Sequence, residues 1–213
     1  MPPVARRVLA SAIQRSWEQV CRWGAVGSGD EGARRYGRFG DGTCIAFPPG
    51  AVFGEQWIHV GSHTMIGPYV TLSAGMAPGQ QMVTNPVVRI GDRCMIGRGS
   101  HIVGHLSVSI GDDVWTGPYI YVTDQNHTYT DVNTPIGRQW PVESSVRIGS
   151  GSWLGAGVAV LPGADIGEHV VVAAGSVVNG AVPSRCVVAG SPARVVRWYD
   201  ESSGEWRSGS PPG

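Results

Sequence analysis

Between Ile148 and Val178 an aliphatic residue falls at every sixth position: Ile148, Leu154, Val160, Ile166, Val172 and Val178. Small or β-branched residues, Ser152, Val158, Ala164, Val170 and Ser176, follow the first five at a distance of four. Glycine or alanine stands directly after Ile148, Leu154, Ile166 and Val172. A helix repeats every 3.6 residues and a strand every two, so a period of six is neither. It fits a short strand followed by a bend, with three such units closing one triangular turn. Stacked turns bury a continuous apolar column and pair as parallel strands, leaving edges only at the two ends. The glycine after each aliphatic is read as letting the chain turn where a side chain would clash.

The period reaches well upstream. It begins raggedly near Ile45 and settles at Val60, Ile66 and Leu72. Residues 73–89 interrupt it, with Met76-Ala77-Pro78-Gly79 reading as a turn. It resumes at Ile90, Ile96 and Ile102, slips by two residues, and continues at Ile110, Thr116 and Val122. The fifth position stays small at Thr64, Val70, Cys94, Ser100 and Val114, with Ile120 the bulky exception. An unrepetitive insert, residues 123–146, separates this part from the regular run. The expected organisation is an N-terminal helix and linker over 1–43, a β-helix over 44–190 carrying the insert, and a C-terminal extension over 191–213. The Gly/Ser/Pro-rich end, 202–213, is expected to be disordered.

Residues 4–23 place Val4, Val8, Ala12, Ile13, Trp17, Val20 and Cys21 at spacings of three and four, which predicts an amphipathic helix. Its arginines, Arg6, Arg7, Arg15 and Arg22, mostly face water. Such a helix can dock onto its own protein, here as a cap on one end of the prism, or lie on a membrane. Docking is the expectation. No apolar run is long enough to span a bilayer, and Gln14, Arg15 and Glu18 interrupt what an export signal would need, so the chain is expected to be cytoplasmic without stable membrane insertion.

With 16 acidic and 16 basic residues, no overall charge footprint points to nucleic acid. Cys21, Cys44, Cys94 and Cys186 are scattered, form no Cys-x-x-Cys pair, and are expected to be free in a reducing compartment.

Four segments carry a resemblance: Trp153-Leu154-Gly155-Ala156-Gly157, Leu161-Pro162-Gly163, Ala173-Ala174-Gly175-Ser176-Val177-Val178, and Val188 to Arg197 containing Gly190-Ser191-Pro192-Ala193-Arg194. With the repeat, they make the chain similar to the hexapeptide-repeat acyltransferases, relatives of galactoside and maltose O-acetyltransferases, over residues 45–198. The resemblance implies an all-β fold, a left-handed parallel β-helix, although the general handedness of parallel crossovers is right-handed. It also implies a homotrimer with sites between subunits and acetyl-coenzyme A as co-substrate, with no metal required.

Acetyl transfer from a thioester to a hydroxyl needs a base for the acceptor proton and stabilisation of the oxyanion. Histidine titrates near neutrality and is the usual base. Of six histidines, His59, His63, His101, His105 and His169 lie in or beside repeat coils, whereas His127 sits in the insert. Long irregular inserts in compact repeats are usually functional. The resemblance adds that relatives carry their catalytic histidine in an Asp-x-x-His segment, here Asp124-Gln125-Asn126-His127. His127 is therefore the candidate general base, with Asp124 the nearest candidate to orient it and Asp131, Glu143 or a backbone carbonyl the others. Thr128 stands where the family usually has glycine. By the same resemblance Trp153, Ala156 and Ala174 line the pantetheine slot, and Arg194 and Arg197 face the nucleotide phosphates. Asn179 and Gly180 occupy the place of the family's threonine–lysine pair, which removes one phosphate contact.

Two other classes share the fold. A γ-type carbonic anhydrase would bind zinc through His63, His101 and His105, but the His101–His105 spacing is one residue short for that pattern. A non-catalytic scaffold would have no use for His127. The acceptor is open: Trp115, Tyr119, Tyr121, Tyr129 and Trp140 suit a sugar ring, or equally pack the insert. A saccharide or glycolipid-precursor hydroxyl is the expectation.

Overall fold

The structure is a computed structural model and describes residues 2–210. The chain winds through three parallel walls in turn, forming a parallel β-helix. One wall carries the strands Ile58–Val60, Val88–Ile90, Val108–Ile110, Val146–Ile148, Asp165–Ile166 and Ala181–Val182. The second holds Cys44–Ile45, Met65–Ile66, Met95–Ile96, Trp115–Thr116, Trp153–Leu154, Val171–Val172 and Cys186–Gly190. The third holds Val52–Phe53, Thr71–Ala74, His101–Gly104, Tyr121–Thr123, Ala159–Val160 and Val177–Val178.

The six-residue period maps directly onto these walls. Val60, Ile90, Ile110, Ile148, Ile166 and Val182 stack in register up the first wall. Leu72, Ile102, Val122, Val160 and Val178 do so up the third. All are buried, and each large aliphatic contributes roughly 1.5–3 kcal/mol by leaving water. Thr116 is the polar member of the second wall's column, and its hydroxyl accepts the Gly97 N–H at 2.9 Å.

The corners refine the expected role of glycine. The left-handed residue of a bend is the one before the small side chain: Gly157 and Gly175 at some corners, but His63, Arg93 and Asp113 at others. The glycines after the aliphatics serve a different end. A Cβ on Gly97 would lie 2.2 Å from the Gly117 carbonyl oxygen, and one on Gly155 would lie 2.5 Å from the Ala174 nitrogen. These positions are bare because successive coils touch there, backbone to backbone.

Both ends depart from expectation. The first rung is already formed by Arg38–Phe39, which pairs in parallel with His59 and Val60, upstream of residue 44. The helix Pro3–Gly24 forms, but none of its residues is buried, so it does not cap the prism. It meets the body at its C-terminal end, where Gly24 lies against the Phe47 ring. At the other end, Ala193–Asp200 and Glu205–Ser208 extend the second wall as an antiparallel meander, so the expected disorder from 202 onward is corrected for this stretch. The Asp200 carboxylate closes the turn by accepting from Ser202 N–H at 3.0 Å and Arg207 Nε at 2.6 Å. Tyr199 and Trp206 pack edge to face across the pair. Residues 211–213 lie outside the described residues.

Gly97→Ala and Gly157→Ala separate the two glycine roles. The first forces a side chain into the adjoining coil and should cost about 1–3 kcal/mol or more. The second has open space around it and pays only for its left-handed backbone, about 1–2 kcal/mol. Denaturant midpoints of the two variants would show the order; equal loss would refute the contact role.

Candidate functional site

The insert leaves the third wall after Tyr121–Thr123 and returns at Val146–Ile148. It has structure of its own, contrary to its irregular sequence: Gln125–His127 pairs antiparallel with Pro141–Glu143, and Ile136–Arg138 forms a short turn of 3-10 helix near the tip. Asp124 at its base is fully buried. Its carboxylate accepts the backbone N–H groups of His105 (2.9 Å), Leu106 (2.8 Å) and Ser107 (2.6 Å). Burial pushes this carboxyl above its usual range, and the three amides pull against that shift. Asp124 thus pins the ribbon to the bend of the preceding coil. It does not hydrogen-bond the His127 ring, as the sequence had suggested.

Glu143 is also occupied. Its Oε1 pairs with Nδ1 of His105, whose Nε2 meets Gln80 Nε2 at 2.8 Å. Gln80 Oε1 accepts the Met76 N–H at 2.7 Å, so its amide group is the donor toward His105. His105 therefore accepts at Nε2 and donates from Nδ1 to the carboxylate. This chain ties together three excursions from the prism: the 75–87 loop, the 104–107 bend and the insert. Sequence reasoning read His105 as an outward residue or a zinc ligand; the structure makes it a clamp. His63 sits at a left-handed corner and His101 on the third wall, and no three His, Cys, Asp or Glu side chains gather to hold a metal among the described residues.

His127 ends the first ribbon strand and is exposed. It lines a cleft of about 380 Å³ together with Phe53, Thr71, Ser73, Val103, Gln125 and Pro141. A smaller hollow of about 130 Å³ that shares Gln125, His127 and Pro141 with the cleft adds Tyr121 and Asn126. Gln125 lies two residues before His127, hence on the same face of the strand. Its Oε1 is buried with no donor among the described residues. The sequence reading passed over Gln125, although that i, i+2 spacing was the available signal.

The residues expected to hold coenzyme A lie elsewhere on the chain, and none lines this cleft. Trp153 projects from the second wall in register with Trp115 and Val171. Ala156 and Ala174 are exposed at stacked corners, where Gly175 N–H donates to the Ala156 carbonyl at 2.9 Å. Arg197 lies beside Val187 and Arg194 beside Ala189, which continues the same wall to its C-terminal end. Both arginines are exposed and neither pairs with a carboxylate among the described residues. Asn179 is exposed on the bend after Val177–Val178. The aromatics divide: Tyr121 flanks the His127 hollow, Trp115 and Tyr119 belong to the prism, and Tyr129 and Trp140 stand on the insert. Arg98 stacks on the Tyr119 ring at 5.5 Å. Of the cysteines, burial pushes the Cys94 and Cys186 thiols up to about 11, the behaviour of packing residues.

Two family signatures match the chain: bacterial transferase hexapeptide (six repeats) over residues 145–180, and hexapeptide repeat of succinyl-transferase over residues 87–117. The chain belongs to the hexapeptide-repeat acyltransferases. It is 32% identical over 142 residues to a protein of Mycobacterium tuberculosis named "Probable acetyltransferase", covering 67% of this chain and 42% of that one. It is 29% identical over 143 residues to the galactoside O-acetyltransferase of Escherichia coli, covering 67% and 64%. The matched stretch thus spans less than two thirds of either relative. Among solved structures, the N-acyltransferase AntD of Bacillus cereus with dTDP and 3-hydroxybutyryl-CoA superposes with a TM-score of 0.67 at 17% identity, covering 81% of this chain and 88% of AntD. A hexapeptide-repeat acetyltransferase of Vibrio cholerae complexed with acetyl coenzyme A gives 0.55 at 23% identity, covering 79% and 74%. These superpositions establish likeness of fold.

Asp124→Ala removes the acceptor of three half-buried backbone amides. It should cost about 1.5–3 kcal/mol and speed hydrogen exchange at residues 105–107 and across the ribbon. Unchanged exchange there would show that the ribbon is held by other contacts.

Proposed function

We propose that this protein is an acetyl-coenzyme A dependent O-acetyltransferase acting on a hydroxyl of a saccharide or similar small acceptor. The observation that carries this reading is His127, held by a pinned ribbon at the edge of a cleft, on a chain whose repeat and relatives are those of acetyltransferases. Acetyl-coenzyme A supplies the activated acyl group as a thioester. Ala156 and Ala174 offer small side chains and accessible backbone for the pantetheine arm, Trp153 offers an exposed indole beside them, and Arg194, Arg197 and Asn179 offer donors for the phosphates of the coenzyme. Transfer is direct, within a ternary complex. The His127 imidazole takes the proton of the acceptor hydroxyl as oxygen attacks the carbonyl carbon, and returns it to the departing sulfur. Gln125, on the same face of the strand, lines the cleft beside His127.

The same reading includes assembly as a homotrimer of left-handed β-helices in the cytoplasm. Its support is the separation of the two residue sets on one chain, together with an exposed apolar ladder along the second wall. Met65, Met95, Trp115 and Trp153 stand in register there, each at least a third exposed. A neighbouring copy that covers this ladder would bring its own ribbon to the coenzyme wall.

An acceptor screen with acetyl-coenzyme A, read by release of free thiol, tests the activity. His127→Ala should lower turnover by about 10²–10⁴-fold while coenzyme A still raises the melting temperature. Near-normal turnover in that variant would remove His127 from the mechanism. Arg194→Ala with Arg197→Ala should raise KM for acetyl-coenzyme A and leave kcat largely intact. Trp115→Glu should reduce the assembly to smaller species in light scattering.

A further inference from the structure

The helix Pro3–Gly24 has an apolar face that none of the described residues buries. Leu9, Ile13, Trp17 and Val20 fall within a stripe roughly 80° wide at 100° per residue, and all are between 43% and 60% exposed. Arg7, Arg15 and Arg22 lie on the opposite side with Glu18, the one acid of the helix. Arg6 falls within the stripe one turn before Leu9, where its long stem can carry the guanidinium outward. Trp23 adds a second indole, 76% exposed, beside the C-terminal turn.

Three surfaces can cover such a face. The protein's own prism does not bury it: none of the helix residues is buried, and Gly24 at the C-terminal end lies against Phe47. A second copy packed stripe to stripe would bury Arg6, and the stripe holds no acidic side chain to pair with it. An anionic lipid surface suits this helix: leucine, isoleucine and tryptophan enter the acyl boundary, Arg6 reaches from within the stripe to the headgroups, and the excess of four arginines over one glutamate draws the helix to a negative surface. No helix among the described residues is long and apolar enough to cross a bilayer, so the contact is with the surface.

We propose that the helix Pro3–Gly24 docks this protein onto anionic membrane surfaces, lying in the plane of the interface on its Leu9–Ile13–Trp17–Val20 face. This inference is independent of the acetyltransferase reading. It reverses the sequence-based expectation that the helix packs on its own body, and the exposure of the apolar stripe is what reverses it.

The test is sedimentation of the full-length protein with vesicles of phosphatidylcholine alone and with about one third phosphatidylserine. The protein should pellet with the anionic vesicles only, and less so in high salt. Arg7→Gln with Arg15→Gln and Arg22→Gln should weaken binding by about tenfold or more. Leu9→Ser with Ile13→Ser and Trp17→Ser should abolish it. Both variants should keep the parent melting temperature, because the altered side chains are exposed in the folded chain. Absence of pelleting, equal pelleting with neutral vesicles, or retained binding by the serine variant would overturn the proposal. So would self-association that the serine variant loses in the absence of lipid binding, which would give the face to a second copy.

Discussion

Everything in this molecule depends on the backbone contact between one coil and the next. Along the first wall the glycine after each aliphatic donates its N–H to the aliphatic of the coil above: Gly61 to Ile90, Gly91 to Ile110, Gly111 to Ile148, Gly149 to Ile166 and Gly167 to Val182, all at 2.8–3.0 Å. Parallel strands must lie at about 4.8 Å for these bonds to form. At that spacing a side chain on the glycine would meet the neighbouring backbone. On this wall the bare position and the hydrogen-bond ladder go together; elsewhere the same bond forms beneath a side chain, as from Leu161 N–H to the Val178 carbonyl at 2.9 Å, where the chain leaves more room. The aliphatic columns fill the interior that the ladder encloses.

A stack built this way tolerates interruptions only where chain can leave and re-enter without breaking the ladder. Both large excursions depart from the third wall and rejoin at the first. They cannot be held by the repeat, so they carry their own fastenings. Asp124 offers acceptors to three amides of the 105–107 bend, and His105 joins Glu143 to Gln80. The cost of burying these polar groups is offset because each finds partners. Rigidity of the prism is thus passed to the ribbon that displays His127.

Legibility in the sequence follows the same division. The repeating interior was readable because every coil imposes one condition on its inward residue, and that condition recurs at a fixed interval. His127 was readable as a candidate because it stands where the period fails. The partners of Asp124 and Glu143 were not readable. Proximity in sequence ranked Asp124 first for His127, yet its carboxylate, itself buried, turns to amides 17 to 19 residues upstream that supply its donors. The end of the chain misled for a related reason: composition suggested disorder, but Asp200, Arg207 and the Tyr199–Trp206 pair close a strand that extends an existing edge.

What the sequence determined by itself is the periodic part: the inward columns, the bare contact positions, the small corner residues and the place of the insert. These rest on local geometry repeated many times, and repetition makes a weak local signal strong. Tertiary structure alone decided where the non-repeating residues spend their interactions. It committed Asp124 and His105 to fastening, left Gln125 unpaired beside His127, and kept the apolar face of the first helix uncovered. Those outcomes depend on which groups from distant coils meet, and no periodicity encodes that.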